Sequence, residues 1–209
     1  MNEQNRLRPG VPAGGARSTY NLWRFTPFVS ITWNEFLTGY VQVIDASAFG
    51  YDAPLTPVGI DINRGDLLRY YAELNLGDIA GGNLKYRYGR QFLKYGAQHL
   101  LSNLSWGNTF QNFEGHKLLW KSGHWAIDAF SMASVNAAAG GSGFGRTSSD
   151  TVDSDREIHG VYTTYSDIEC NTIDLYWLWS NEHNRAVNRQ DGERHSFGAR
   201  FAGNNPITE

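Results

Sequence analysis

The chain has 209 residues, of which 41% are hydrophobic and 19% charged, so its composition excludes an intrinsically disordered protein. A mean hydropathy of −0.46 and the lack of any apolar run of about 18 residues exclude a helical membrane protein. The net charge of −3 argues against nucleic-acid binding, and a single cysteine, Cys170, excludes an intramolecular disulfide. We interpret Cys170 as an ordinary strand residue.

Residues 1–19 are rich in Gly, Pro, Asn and Arg and predict a flexible N-terminal lead-in. The remainder, 20–209, predicts a single all-β domain, because hydrophobic and polar residues alternate with period two in segment after segment. Nine strands are expected, the first interrupted by Pro27. Their predicted ranges are 22–33, 36–45, 66–76, 83–91, 113–121, 124–133, 157–165, 172–180 and 194–201.

The strand NLKYRYGRQ, residues 83–91, shows the pattern best. Leu84, Tyr86 and Tyr88 share one face, whereas Lys85 and Arg87 share the other with Gly89 and Gln91. In a soluble sheet the charged face meets water, and in a membrane barrel it lines the lumen.

The connections between the predicted strands alternate between short and long, and no helical period of useful length appears. We expect long connections at 46–65, 94–112 and 134–156. Long strands with short turns at one end and long loops at the other are typical of an antiparallel, up-and-down transmembrane β-barrel. A soluble sandwich has shorter strands and no such asymmetry.

The predicted barrel is partial, because nine is an odd strand number and an open sheet leaves backbone groups unpaired in lipid. The first ten residues contain no apolar segment of the signal-peptide kind. The last six residues, NNPITE, do not form a strand with a final aromatic residue. We therefore expect this chain to be a fragment of a longer barrel.

Four sequence blocks resemble the alginate-export family of outer-membrane β-barrels. They are INRGDLL (62–68), LKYRYGRQFLKYGAQHLLSN (84–103), WGNTFQNFEGHKL (106–118) and RHSFGARFAG (194–203). The resemblance implies a bacterial outer-membrane location with the lipid bilayer as a partner. It also implies a pore that conducts an anionic polysaccharide such as alginate, or smaller anionic solutes, through a cationic lumen, without enzymatic activity or a cofactor.

A pore for a polyuronate needs fixed cations along its wall, and arginine matches a carboxylate with its planar fork. The candidates on predicted lumen faces are Arg69, Lys85, Arg87, Lys117 and Arg200. Arg90 has the opposite parity to Arg87, and a bulge or the start of the loop would turn it inward. Gln91 and Tyr71 would hydrogen-bond sugar hydroxyls. For each single residue the competing interpretation is structural pairing, for example Arg69 with Glu73.

An enzyme is not expected, because the six histidines are scattered and no nucleophile or phosphate-binding motif is present. The alternative function is a soluble or surface-attached all-β domain that binds carbohydrate on aromatic platforms. The direction of the tryptophans discriminates the two. Trp23, Trp33, Trp177 and Trp179 share parity with Val, Ile and Leu, which favours a membrane girdle.

Overall fold

The computed structural model describes residues 20–50, 61–136, 149–168, 171–183 and 191–203. The predicted N-terminal lead-in and Cys170 lie outside these residues. Within them no helix has the length and apolarity to cross a membrane. The described residues form ten strands: β1 Asn21–Phe25, β2 Phe28–Trp33, β3 Leu37–Phe49, β4 Asn63–Ile79, β5 Gly82–Gln91, β6 Phe113–Ser122, β7 Trp125–Asn136, β8 Thr151–Ile168, β9 Asn171–Glu182 and β10 Gly192–Gly203.

All ten strands belong to one antiparallel sheet in which each strand from β3 to β9 pairs with the next one in sequence. β1 and β2 both pair with β3 and together make the predicted first strand, broken at Pro27. The Pro27 carbonyl still accepts a hydrogen bond from the Val43 amide (3.1 Å). Among the described residues β10 pairs only with β9, so the sheet is open. The predicted partial, up-and-down barrel is confirmed.

Tight turns join the strands at one end of the sheet. Asn34 and Glu35 both have positive φ (49° and 58°), as do Ala80 and Gly81 (53° and 74°). Positive φ at both central residues is the type I′ geometry whose twist matches that of the flanking strands. All of the longer connections lie at the other end. The predicted alternation of short and long connections is therefore confirmed.

Two predicted connections are shorter than expected. β3 continues to Phe49 and β4 begins at Asn63, inside the segment 46–65. β7 continues to Asn136 and β8 begins at Thr151, inside the segment 134–156. Cross-strand hydrogen bonds extend these strands, for example at the partners Val135 and Val152. Periodicity does not detect the extension of β3, because Ala46, Ser47 and Ala48 are small and all three are buried there.

Period two predicts that Leu68 shares the face of Tyr70 and that Leu67 shares the lumen face of Arg69, and both predictions are wrong. The register of β3 on β4 shifts between Gln42 and Val43, which is a β-bulge. Leu68 is consequently buried beside Ile44, whereas Leu67 is exposed. A one-residue shift exchanges the two faces of a strand.

In a soluble sheet the apolar face is buried and the charged face meets water. In this sheet the charged face lies inside and the apolar face is exposed. The lumen face carries the charged ladder of β4–β10 and the hydrophobic core formed with the connection 92–112. Here the lumen face means Arg69, Tyr71, Glu73, Lys85, Arg87, Lys117, Asp128, Phe130, Tyr162, Asp174, Arg200 and their register neighbours. The outer face exposes large apolar side chains such as Trp33 (69%) and Phe197 (77%). An exposed apolar face of this extent suits lipid.

Gly89 tests how closely strands β4 and β5 approach each other on the lumen face. Its φ is +130°, and an added Cβ would contact the Tyr70 carbonyl oxygen and the backbone of Tyr71. We expect Gly89→Ala to lower the free energy of unfolding by about 2 kcal/mol or more, through backbone strain and steric overlap. Urea unfolding of the lipid- or detergent-folded protein measures this.

The matched control is Gly39→Ala in β3, where nothing lies within 4 Å of the added Cβ. It is expected to change stability by less than about 1 kcal/mol. Equal effects at Gly89 and Gly39 would contradict the close approach of β4 to β5.

Candidate functional site

The register of the sheet brings the predicted pore cations beside carboxylates of neighbouring strands. Glu73 of β4 is the direct partner of Arg87 in β5, which is the direct partner of Lys117 in β6. Asp174 and Arg200 are direct partners across β9 and β10. Direct partners on one face have Cβ atoms about 5 Å apart, so opposite charges meet there.

Glu73 holds two of the predicted cations. Its carboxylate accepts hydrogen bonds from Arg87 Nε (2.8 Å) and Lys85 Nζ (3.2 Å). The Arg87 guanidinium also lies over the ring of Tyr71, 4.2 Å from its centroid. The expected pairing of Glu73 with Arg69 does not form. Four residues of extended strand separate those two by about 13 Å, whereas Arg87 is adjacent across the ladder.

A second cluster joins Lys117, Asp128 and Tyr95. The Lys117 Nζ lies 2.7 Å from Asp128 Oδ2, and both side chains are largely buried (9% and 19% exposed). The Tyr95 hydroxyl donates to the same carboxylate oxygen (2.8 Å). Burial, with the Asp128 charge second, raises the pKa of the Tyr95 phenol. Tyr95 therefore stays protonated and serves as a hydrogen-bond donor.

A third cluster lies on β8, β9 and β10, at one edge of the described sheet. Arg200 Nη1 lies 2.8 Å from Asp174 Oδ2, and Thr164 Oγ1 donates to Asp174 Oδ1 (2.8 Å). Asp174 is buried whereas Arg200 is half-exposed. Structural pairing, the competing interpretation of the predicted cations, therefore describes Lys85, Arg87, Lys117 and Arg200.

Arg69 differs from these four cations. Within the described part of the chain no carboxylate forms an ion pair with it. Its Nε donates to Gln42 Oε1 (2.7 Å) and its Nη2 to the Tyr40 hydroxyl (2.6 Å). The guanidinium also stacks on the rings of Tyr40 and Phe92, at 4.9 and 4.4 Å. The side chain is thus positioned by neutral groups that leave its charge uncompensated.

Arg90 and Gln91 are both withdrawn from the open lumen. Arg90 stays in continuous register between Tyr70 and Glu114, so the bulge expected to turn it inward is absent. Its Nε lies 3.1 Å from Glu114 Oε2, and it is only 5% exposed. Gln91 has the lumen-side parity but is 1% exposed, and its Nε2 donates to the Gly89 carbonyl (3.4 Å).

The connection 92–112 folds onto the lumen face, which the sequence analysis did not foresee. Leu93 and Leu101 are buried in the core cluster with Phe130. The Tyr95 ring stacks on Tyr162 with centroids 4.5 Å apart. At Gly96 an added Cβ would meet the Tyr162 hydroxyl, which shows how closely the connection approaches β8. The apolar run FLKYGAQHLL was the available signal, because a solvated loop has no need for it.

No group of three or more His, Cys, Asp or Glu residues is placed to hold a metal among the described residues. What the lumen face does offer is paired charges, tyrosine hydroxyls and stacked rings. The fold and this face define a protein of the outer-membrane β-barrel class.

The comparison with known families gives the particular family. The model of the family described as Alginate export matches residues 2–208, nearly the whole chain, and the chain belongs to this family. It is a family of outer-membrane transport proteins. No curated protein and no solved structure matches the chain at a significant level. Family membership and the outward tryptophans favour the membrane interpretation over a carbohydrate-binding domain in solution.

The cluster around Asp128 generates a stability prediction. We expect Asp128→Asn to lower the free energy of unfolding by about 3 kcal/mol, because it leaves the buried Lys117 charge without its partner. Chemical unfolding of the lipid-folded protein measures the difference.

The control is Glu182→Gln, which removes an equivalent charge from the exposed pair with Arg156 (46% and 58% exposed). Its expected effect is below about 1 kcal/mol. A cost at Asp128 no larger than at Glu182 would show that the lumen pair is solvated.

Proposed function

We propose that the lumen face conducts an anionic polysaccharide of the alginate class, and that Arg69 is its principal fixed charge. The observation that carries this proposal is that the described residues give Arg69 neutral partners and no carboxylate. The other four cations that were predicted on lumen faces are each bound to Glu73, Asp128 or Asp174. In this set five cations face three carboxylates, so its summed charge is positive even though the chain as a whole is acidic.

The environment of Arg69 suits a uronate residue. The rings of Tyr40 and Tyr71 are stacked with centroids 4.9 Å apart. The faces of these two rings are covered by each other, by Phe28 and by the guanidinium groups of Arg69 and Arg87. What the two tyrosines offer to a sugar is therefore the hydrogen-bonding capacity of their phenol groups. An arginine fork binds a carboxylate in two parallel hydrogen bonds.

Paired charges elsewhere on the wall would help passage. A cation whose charge is shared with a carboxylate attracts a polyanion less strongly than a lone one. Conduction needs binding that is favourable enough for entry and weak enough for release. Arg69 is the strong site and the four paired cations are weaker ones, so the wall can both attract a polyanion and release it.

The test is Arg69→Gln in planar bilayers under a salt gradient. The reversal potential is expected to move toward the equilibrium potential of the cation. Block of the salt current by oligo-uronate is expected to weaken by about tenfold. That factor corresponds to about 1.4 kcal/mol, close to the lower end of the range for a hydrogen bond to a charged group.

The matched variant is Arg69→Lys, which keeps the charge and loses the planar fork. It should retain the reversal potential and show an intermediate block. An unchanged reversal potential in Arg69→Gln would remove Arg69 from the conduction path. Loss of block by neutral oligosaccharide in the same variant would assign the site to sugar binding rather than to charge.

A further inference from the structure

Arg24 of β1 is a second arginine of the lumen face to which the described residues give neutral partners and no carboxylate. Its direct partner in β3 is Ala46, which is buried in a core cluster of the lumen face with Leu68. Its Nη1 donates to the carbonyl oxygen of Gly107 (2.7 Å). The Arg24 side chain is exposed, so a solute in the lumen can contact it.

The connection 92–112 places an aromatic ring beside each of these two arginines. The Arg24 guanidinium lies 4.5 Å from the ring centroid of Phe110, and the Arg69 guanidinium lies 4.4 Å from that of Phe92. The two phenylalanine rings contact each other, with centroids 5.2 Å apart. Three successive contacts therefore join the two guanidinium groups, and the same connection positions both.

The connection is itself fixed to the wall at this point. Asn108 is buried, and its Nδ2 donates to the carbonyl oxygens of Asp61 (2.8 Å) and Ser47 (3.2 Å). Phe92 and Phe110 also pack against the buried cluster of the lumen face. The two arginines are thus held in place before a ligand arrives, and such a preorganised site loses less conformational entropy on binding.

Arg24 and Arg69 lie in series along the strand direction. Arg69 is paired with Gln42 of β3, whereas Arg24 is paired with Ala46 of the same strand. Four residues of extended strand separate these partners by about 13 Å. Arg24 lies nearer to the end of the sheet that carries the long connections. A polymer that moves along the strands therefore meets the two arginines in succession.

We propose that Arg24 and Arg69 form one bivalent site, which binds two carboxylates of the same polyuronate chain, and that the connection 92–112 positions both arginines for it. This inference rests on the proposed function and adds to it a second binding residue and a minimum length of ligand.

The charges of the site explain why it selects an oligomer. The described partners of both guanidinium groups are neutral, so a carboxylate of the ligand meets no competing carboxylate there. Once one uronate is bound at Arg69, binding of a second uronate at Arg24 is an intramolecular step. The affinity for an oligomer therefore exceeds that for a single uronate.

The competing interpretation is that Arg24 only attaches the connection to β1, through Gly107 and Phe110. That role predicts a change in stability or in conductance when Arg24 is replaced. It predicts the same effect on short and on long ligands, because neither would contact the arginine.

The test compares a uronate monomer with a uronate hexamer as blockers of the salt current in planar bilayers, at equal concentrations of uronate groups. We expect Arg24→Gln to weaken block by the hexamer at least about fivefold and block by the monomer less than about twofold. Arg69→Gln should weaken block by both ligands. In the double variant the hexamer should block little better than the monomer.

The matched control is Arg156→Gln, which removes an exposed arginine that is already paired with Glu182 (3.1 Å). It should leave the ratio of hexamer block to monomer block unchanged.

A second measurement covers the case in which Arg24→Gln does not form a conducting pore. Arg24→Cys in a Cys170→Ala background is folded first and then modified with a thiol reagent that adds either an aminoethyl cation or a neutral group. The cationic reagent should restore the preference for the hexamer, and the neutral reagent should not.

Two results separate the failure of this inference from the failure of the proposed function. If Arg24→Gln weakens block by both ligands equally, or by neither, while Arg69→Gln weakens both, the bivalent site is overturned and the proposed function stands. If Arg69→Gln changes block by neither ligand, the proposed function and the bivalent site are both overturned.

Discussion

The inter-strand register is the constraint on which the rest of this structure depends. In a bilayer each backbone N–H and C=O group must find a partner within the sheet. The resulting ladder also determines which side chains become neighbours. It brings Glu73 to Arg87 and Asp174 to Arg200 on one face, and on the other it places His159 beside Trp179.

The lumen face and the outer face of the sheet carry different kinds of side chain. On the lumen face, opposite charges on neighbouring strands neutralise one another, and Tyr95 attaches the connection 92–112 to Asp128. Arg69 alone among the predicted cations keeps an uncompensated charge within the described residues. The outer face exposes large apolar side chains such as Leu175 and Phe197, whereas Glu157 and Glu193 lie near the long connections.

Membership of the alginate export family connects these observations to transport across the outer membrane. The charge pattern of the lumen face refines the simple expectation of a cationic wall. Lys85, Arg87, Lys117 and Arg200 each pair with a carboxylate that would otherwise be buried alone. Under the proposed function, attraction of a polyanion then depends on the small excess of positive charge in this set and on where it lies.

The sequence alone was sufficient to predict where the strands lie, how their side chains alternate and which face each side chain belongs to. Period two is a local property of the chain, so it can be seen without tertiary contacts. It also placed Lys85, Arg87 and Lys117 on the lumen side. Only the tertiary structure decided their partners, because a carboxylate such as Glu73 or Asp128 is brought close by pairing between strands and not by distance along the chain. The bulge that exchanged Leu67 and Leu68, the withdrawal of Arg90 and Gln91, and the folding of 92–112 onto the lumen were decided in the same way. Each depends on contacts between distant segments, for which local periodicity carries no signal.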